Sequence, residues 1–338
     1  MQFCFGKINK YILLGGGPLF SAVLDYGLST NKELLIYVAE RLLSGDSHIE
    51  GVSCEEFLKK TGVHYTVTDS IASHYETIEE FSDDNTLALS LNGTWIFRER
   101  IINAVNGKFI NGHATRLPDF RGGGGFSWRI LRGDTAGYVT WHIVTPGIDD
   151  GDILYMKEFR LPETCRTPGD FDTYTTAQMV ESVPMILGKI DSEQSFDRAP
   201  QSPYFGSYWP RLHTETHGYI DWSWSATDIE SFTCAFDDPF KGASTFWNGA
   251  RIFLKNSQRI LSEGRFHPFQ QGIIYRRHSD CIYVAANDGA ILVAGIFDEE
   301  GKSIMNDLQV GDRLYTPKDV LEEAMHTRVF YTSTSLKK

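Results

Sequence analysis

An asparagine and a histidine stand two residues apart in Phe109-Ile110-Asn111-Gly112-His113, at the end of a short apolar run. In an extended segment residues i and i+2 point to the same side, so Asn111 and His113 share a face. An amide donor beside an imidazole can polarise a carbonyl and hold the oxyanion that forms when that carbonyl is attacked. Alone, such a pair is more often structural than catalytic. A second cluster follows in Gly147-Ile148-Asp149-Asp150-Gly151-Asp152. Oxygen-rich loops suit hard cations, but this spacing is not that of an EF-hand, and the chain re-enters a strand too soon to wrap an ion. A tight turn with solvated aspartates is its default reading. The sharper reading sends one aspartate into the crevice of His113, where an opposite charge favours the imidazolium.

Between the two clusters lies Arg121-Gly122-Gly123-Gly124-Gly125. It lacks the Lys and Ser/Thr of a Walker motif and the spacing of a dinucleotide fingerprint. Its glycines permit unusual dihedrals and let a substrate approach the backbone. A helix opening beyond them would favour an anion, a role for which Gly15–Gly17 is the other candidate.

The elements that must position these residues follow an α/β pattern. Tyr11–Leu14 is an apolar run that stops at Gly15-Gly16-Gly17-Pro18, and the segment after it has helical spacing. Strand, glycine turn and helix is how doubly wound domains begin. Further runs at Leu34–Val38, Tyr65–Val67 and Leu87–Leu91 read as strands, Trp95–Val105 as a helix, and Lys108–Ile110 as a strand. A helix opens at Phe126, Tyr138–Val144 and Asp152–Phe159 are strands, and Thr173–Ile190 is a long helix. Strands alternating with helices imply a largely parallel sheet covered on both faces. The polar, Pro- and Ser-rich stretch Gln194–His217 reads as a connecting segment. Beyond it, Ser225–Asp228 has the form of a capping box, and short strands separated by turn signals such as Asn248-Gly249 suggest a small β-barrel. The expected division is 1–208 and 209–338.

The chain has 338 residues and a net charge of −12, without the clustered Lys and Arg that grip a nucleic-acid backbone. Its cysteines, Cys4, Cys54, Cys165, Cys234 and Cys281, are scattered and form no CxxC pair. That spacing suits a reducing compartment and argues against a disulfide framework or a zinc site. No signal peptide and no apolar run of membrane-spanning length is evident. A soluble cytoplasmic protein is the expectation.

The run Asn111 to Gly122, N-G-H-A-T-R-L-P-D-F-R-G, resembles the N-x-H-x-S-x-L-P-x-x-R-G signature of folate-dependent formyltransferases. Gly137-Tyr138-Val139-Thr140 through Gly147-Ile148-Asp149-Asp150-Gly151-Asp152-Ile153-Leu154 resembles the same family's distal block, in the expected order and separation. Gly218–Trp222, Ala235-Phe236 and Pro239–Ala243 resemble its second domain. The resemblance implies a Rossmann-like doubly wound N-terminal formyltransferase domain followed by a smaller OB-like β-barrel. It implies Asn111, His113 and Asp149 as a catalytic triad, with Asp149 keeping His113 protonated. It also implies 10-formyltetrahydrofolate as donor, a primary amine as acceptor, and no metal. The pterin is expected to rest on the loops that hold Leu91, Asn92, Gly93, Thr145, Gly147 and Ile148. His142, on the strand before Asp149, matches a position that is often His in relatives and is weighed as support or packing. Position 114 is Ala where the tRNA enzymes have Pro, position 115 is Thr for Ser, and position 116 is Arg for Leu.

Three acceptors compete. A nucleotide-linked amino sugar, as in surface polysaccharide or O-antigen synthesis, suits the acidity, the G-G-G-F-S-W run and the many aromatics. Thr115, Arg116, Gly122, Gly123, Trp128 and Gly16 are its candidate contacts. Methionyl-tRNA needs a basic face and an inserted basic loop, and neither is visible. A formyltetrahydrofolate hydrolase would use water, but it usually carries an N-terminal regulatory module with no counterpart here. Homodimerisation is an expectation drawn from relatives.

Overall fold

The computed structural model describes residues 2–93, 95–123, 125–331 and 336–337. Thr94, within the expected folate loop, and Gly124, within the glycine run, lie outside the described residues. In the N-terminal part the chain forms β1 (Lys10–Gly15), α1 (Gly17–Ser29), β2 (Glu33–Val38), α2 (Cys54–Thr61), β3 (Thr66–Val67), α3 (Tyr75–Phe81) and β4 (Thr86–Leu91). There follow α4 (Glu99–Ala104), β5 (Phe109–His113), α5 (Gly125–Leu131), β6 (Ala136–Ile143), β7 (Ile153–Arg160) and α6 (Pro168–Asp191).

These strands make one seven-stranded sheet in the order β3-β2-β1-β4-β5-β6-β7. The five strands from β3 to β5 run parallel. β6 and β7 add to that edge antiparallel. Successive residues of β1 feed opposite layers. Tyr11 and Leu13 pack with α1 and α6, whereas Ile12 and Leu14 pack with α3 and α4. A strand buried on both faces reads as a continuous apolar run, which is why β1 and β4 stand out in the sequence. The chain reverses direction across the sheet at β1, from β2 on one side to β4 on the other. Ligand crevices of doubly wound sheets open at such a switch point, outside the carboxyl ends of the strands.

The main sheet of the C-terminal part, packed with α7 (Ala226–Ala235), has five strands: β8 (Ala243–Trp247), β9 (Ala250–Ile260), β10 (Ile274–Arg277), β11 (Ile282–Ala285) and β12 (Ala290–Phe297). They pair antiparallel in the order β8-β9-β12-β11-β10. Bridges Phe246–Tyr315 and Ile273–Arg313 lay a further segment between the two edge strands and close the barrel. Asn248 (φ 49°) and Gly249 (φ 84°) turn the first hairpin, the positive dihedrals that a two-residue hairpin turn requires. Among the described residues no helix is long and apolar enough to cross a membrane.

Two sequence expectations change. Trp95–Val105 is helical only over Glu99–Ala104. Before that, Trp95 and Phe97 are buried while Ile96 is 57% exposed, the period-two pattern of an extended segment. α6 begins earlier than Thr173, because Thr167 Oγ1 accepts from the Asp170 N–H (3.2 Å) and the Asp170 carboxylate takes the Thr167 N–H (2.9 Å). This full capping box lies within what reads as loop. The expected one at Ser225 is half made: the Asp228 carboxylate bonds to the Ser225 hydroxyl and not to its N–H.

The two parts share apolar packing. Ile130, Leu161 and Phe171 join one cluster with Ile220, Trp222, Ile229 and the barrel interior. Ser127 Oγ donates to Ala235 O (2.9 Å) and the Gly169 N–H to Asp238 O (2.7 Å). A shared core couples unfolding, so calorimetry should record a single transition. Phe171→Ala should lower stability by about 3–5 kcal/mol without splitting it. Two separate transitions in the parent protein would contradict the coupling.

Candidate active site

The register of β5 against β6 builds the site. Asn111 lies opposite His142, and His113 opposite Thr140. Directly opposed residues project to one face of a sheet, so all four side chains gather on one side. The intervening Gly112 faces the other way, where an added Cβ would lie 2.6 Å from Leu19 and 3.0 Å from Met179. α1 and α6 therefore press the strand end into place. Asp149 arrives from the turn after β6, in a left-handed conformation with φ 47°.

Proton counting assigns the hydrogen bonds. His142 is 2% exposed. Its Nδ1 lies 2.8 Å from Ile143 O and must donate to it, so Nε2 accepts from Asn111 Nδ2 at 3.0 Å. That contact orients the Asn111 amide. Its second N–H reaches Asp149 Oδ1 only at 3.5 Å, a weak bond that leaves it available to a carbonyl oxygen. His113 Nε2 lies 2.6 Å from Thr115 Oγ1 and 3.0 Å from Phe120 O, and Thr115 donates its own proton to Phe120 O at 2.8 Å. These contacts favour an Nε2–H tautomer. Nδ1 is then the basic nitrogen, 3.8 Å from Asp149 Oδ2. The Gly122 N–H donates to that same carboxylate oxygen at 2.9 Å.

Burial would raise the Asp149 carboxyl, but His113, His142 and the Gly122 N–H together hold it well below the usual carboxylate range. Asp149 is ionised. Burial pushes the His113 imidazole below its ordinary 6.5, and the lift from Asp149 does not offset this, with His142 pushing the same way. The expected standing imidazolium is therefore corrected: desolvation outweighs the counter-charge, and His113 rests neutral. The other two aspartates serve the turn. Asp150 bonds to Thr145, and Asp152 pairs with Arg198 at 2.6 Å.

Asn111, His113 and Asp149 lie in the wall of one cavity of about 960 Å³. Asn92, Gly93, Thr145, Gly147 and Ile148 line it as well, as do Thr115, Gly122, Gly123 and Gly16. Leu91 does not: it is fully buried in β4, and its carbonyl accepts the Gly16 N–H at 3.1 Å. Arg116 and Trp128 are also off this wall. Arg116 pairs with Asp119 at 3.3 Å beside a separate small recess, and the Trp128 indole donates to Pro210 O at 2.7 Å. The Thr115 hydroxyl is engaged with His113 and Phe120. Sequence reasoning passed over Arg41, Arg98, Tyr208, Arg211 and Arg328, which line the same cavity from five positions spread along the chain. Isolated arginines in an acidic sequence carry no local signal of such convergence.

Comparison with known proteins places this architecture. Residues 94–174 match the family model "Formyl transferase", and residues 213–310 match "Formyl transferase, C-terminal domain". The chain belongs to the formyl transferase family. It is 25% identical over 206 residues to the methionyl-tRNA formyltransferase of Acetivibrio thermocellus, covering 61% of this chain and 64% of that protein. The chain thus spans just under two thirds of that relative's length. Two solved structures share its fold at a TM-score of 0.64. One is WlaRD, a sugar 3N-formyltransferase determined with dTDP and 5-N-formyl-THF, at 17% identity over 86% of this chain and 98% of that one. The other is the N-formyltransferase of Helicobacter canadensis with folinic acid and dTDP-3-aminofucose, at 16% identity over 86% of this chain and all of that one.

The electrostatics can be checked without a substrate. By NMR titration of the imidazole, His113 should ionise below 6.5, and Asp149→Asn should move it lower still by removing the charge that opposes burial. A His113 that titrates above 6.5, or one that rises in Asp149→Asn, would contradict the assignment.

Proposed function

We propose that the chain transfers a formyl group from 10-formyltetrahydrofolate to the primary amine of a nucleotide-linked amino sugar. The observation that carries the reading is the convergence of Asn111, neutral His113 and ionised Asp149 on one cavity of about 960 Å³, at the upper end of the roughly 300–1,000 Å³ of ligand pockets. The donor fits the end of the cavity by the carboxyl ends of β1 and β4. There Ile96 and Ile148 line the wall although 57% and 48% exposed, apolar surface suited to a flat ring system. Asn92, Gly93, Thr145 and Gly147 lie alongside, with backbone groups to meet its polar edge.

In this reading the amine nitrogen bonds to the formyl carbon, the bond from that carbon to N10 breaks, and one proton passes from amine to N10. The second N–H of Asn111, held only weakly by Asp149, turns to the formyl oxygen as charge develops on it. Nδ1 of His113 takes the amine proton and returns it to the departing nitrogen. Asp149 stabilises the imidazolium while it exists. A resting neutral imidazole is the form that can accept this proton.

The acceptor is argued from charge and shape. Arg41, Arg98, Arg211 and Arg328 line the cavity together with Asp69, Asp149 and Asp172, in a chain whose net charge is −12. Four guanidinium groups confined to one cavity suit a diphosphate, not an extended nucleic-acid backbone. The fold neighbours determined with dTDP or a dTDP-amino sugar support this choice. The alternative, methionyl-tRNA, is favoured by the curated relative described above. The reading includes a cytoplasmic homodimer of a catalytic domain, 1–208, and an OB-like domain, 209–338, acting in surface polysaccharide synthesis.

Release of tetrahydrofolate, followed against dTDP-, UDP- and GDP-linked 3- and 4-amino sugars, tests it. At least one sugar should be turned over, and Asn111→Ala should lower kcat by about 10²–10³-fold. With His113 acting from its neutral form, kcat/KM should stay level through neutral pH and fall only below 6.5. Formylation of initiator tRNA with no turnover of any amino sugar would overturn the acceptor assignment.

A further inference from the structure

Gln201 lies in the connecting segment between the two parts of the chain, and its side-chain amide is fully engaged. Nε2 donates to Asp149 O at 2.9 Å and to Gly151 O at 2.7 Å. Oε1 accepts from Arg121 Nε at 3.1 Å and Arg121 Nη2 at 2.9 Å. One amide therefore ties together three stretches distant in sequence: the aspartate turn, the arginine-glycine loop and the connecting segment. Only an amide offers both donors and an acceptor here. Glu supplies no donor, and Leu supplies neither.

What it grips is the catalytic carboxylate's own backbone. Asp149 sits at φ 47°, a region that non-glycine residues avoid unless their surroundings hold them there. The Asp149 carbonyl that Gln201 captures follows directly from that conformation. On its other side Gln201 fixes Arg121, whose neighbour Gly122 donates its N–H to Asp149 Oδ2 at 2.9 Å. The connecting segment is itself anchored across this loop: the Ser207 N–H donates to Pro118 O at 3.1 Å and the Arg121 N–H to Ser207 O at 3.2 Å.

We propose that Gln201 is a positioning residue: by holding the Asp149 backbone and the Arg121–Gly122 loop in one frame, it sets the Asp149 carboxylate against His113. It touches neither reactant, and its effect passes through Asp149. The kinetic part of its test rests on the formyl-transfer reading, whereas the titration part does not.

The experiment uses the full chain with Gln201→Leu, Gln201→Glu and Arg121→Leu. Gln201→Leu removes both sets of bonds, Gln201→Glu removes the donors and keeps the acceptor for Arg121, and Arg121→Leu removes the far side alone. In Gln201→Leu the His113 imidazole should ionise at lower pH than in the parent, in the direction of Asp149→Asn, because the carboxylate no longer lies fixed against it. Arg121→Leu should shift it the same way by less. With a competent acceptor, Gln201→Leu and Gln201→Glu should lose about 10–100-fold in kcat, the scale expected for a small misplacement of a catalytic group, with KM within about twofold. A His113 titration unchanged in Gln201→Leu overturns the proposal, whether or not activity falls. If Gln201→Leu does not fold, Arg121→Leu decides, and an unchanged titration there overturns it equally. A shifted titration without turnover of any amino sugar supports Gln201 and counts against the acceptor instead.

Discussion

A carboxylate kept ionised in a largely buried position is the constraint around which the site is built. Removing a charge from water is costly unless it is paired and hydrogen-bonded, and Asp149 meets that cost from several directions. The Gly122 N–H bonds to one oxygen and the Asn111 amide approaches the other, while His113 faces the first and becomes its counter-charge when protonated. Each partner imposes its own demand. Gly122 must carry φ 81° and must lack a Cβ, which would fall 2.6 Å from the Tyr208 ring. Asp149 must turn left-handed, and Gln201 captures the carbonyl that this exposes.

The sheet divides the labour. Its parallel half opens a crevice at the switch point between β1 and β4, where Gly15 approaches Leu91 too closely for any side chain: a Cβ would lie 1.8 Å from Leu91 O. Its antiparallel edge gathers the proposed catalytic groups, because the β5–β6 register sets Asn111 beside His142 and His113 beside Thr140. Thr140 Oγ1 in turn donates to Thr115 O at 2.8 Å, which steadies the residue whose hydroxyl meets His113. Asn111 and His113 thus stand on a strand end backed by two helices, and Asp149 comes from a turn that is itself clamped.

Much of this was legible in the sequence, for physical reasons. Parallel strands buried on both faces left plain apolar runs, and the alternation of strands and helices pointed to a doubly wound sheet. Asn111 and His113 could be paired because period-two geometry is simple, whereas the choice of Asp149 over Asp150 and Asp152 rested on the family resemblance. Burial could not be counted from sequence, so the resting charge of His113 was read the wrong way. Trp95–Val105 reads as helix throughout because its aromatic residues fit either period, although only Glu99–Ala104 is helical. Arg116 and Trp128 sit near the right motif, yet their polar atoms turn to Asp119 and Pro210. The polar composition of Gln194–His217 read as linker and hid Gln201, whose partners are supplied by two other segments.

The most direct measurement of the central claim is a crystal structure of the chain with 5-formyltetrahydrofolate. The pterin should lie against Ile148, Asn92 and Gly93, with N10 turned toward the Asn111 amide and the Nδ1 side of His113. A folate bound outside this cavity, or inside it with N10 directed away from Asn111 and His113, would contradict it.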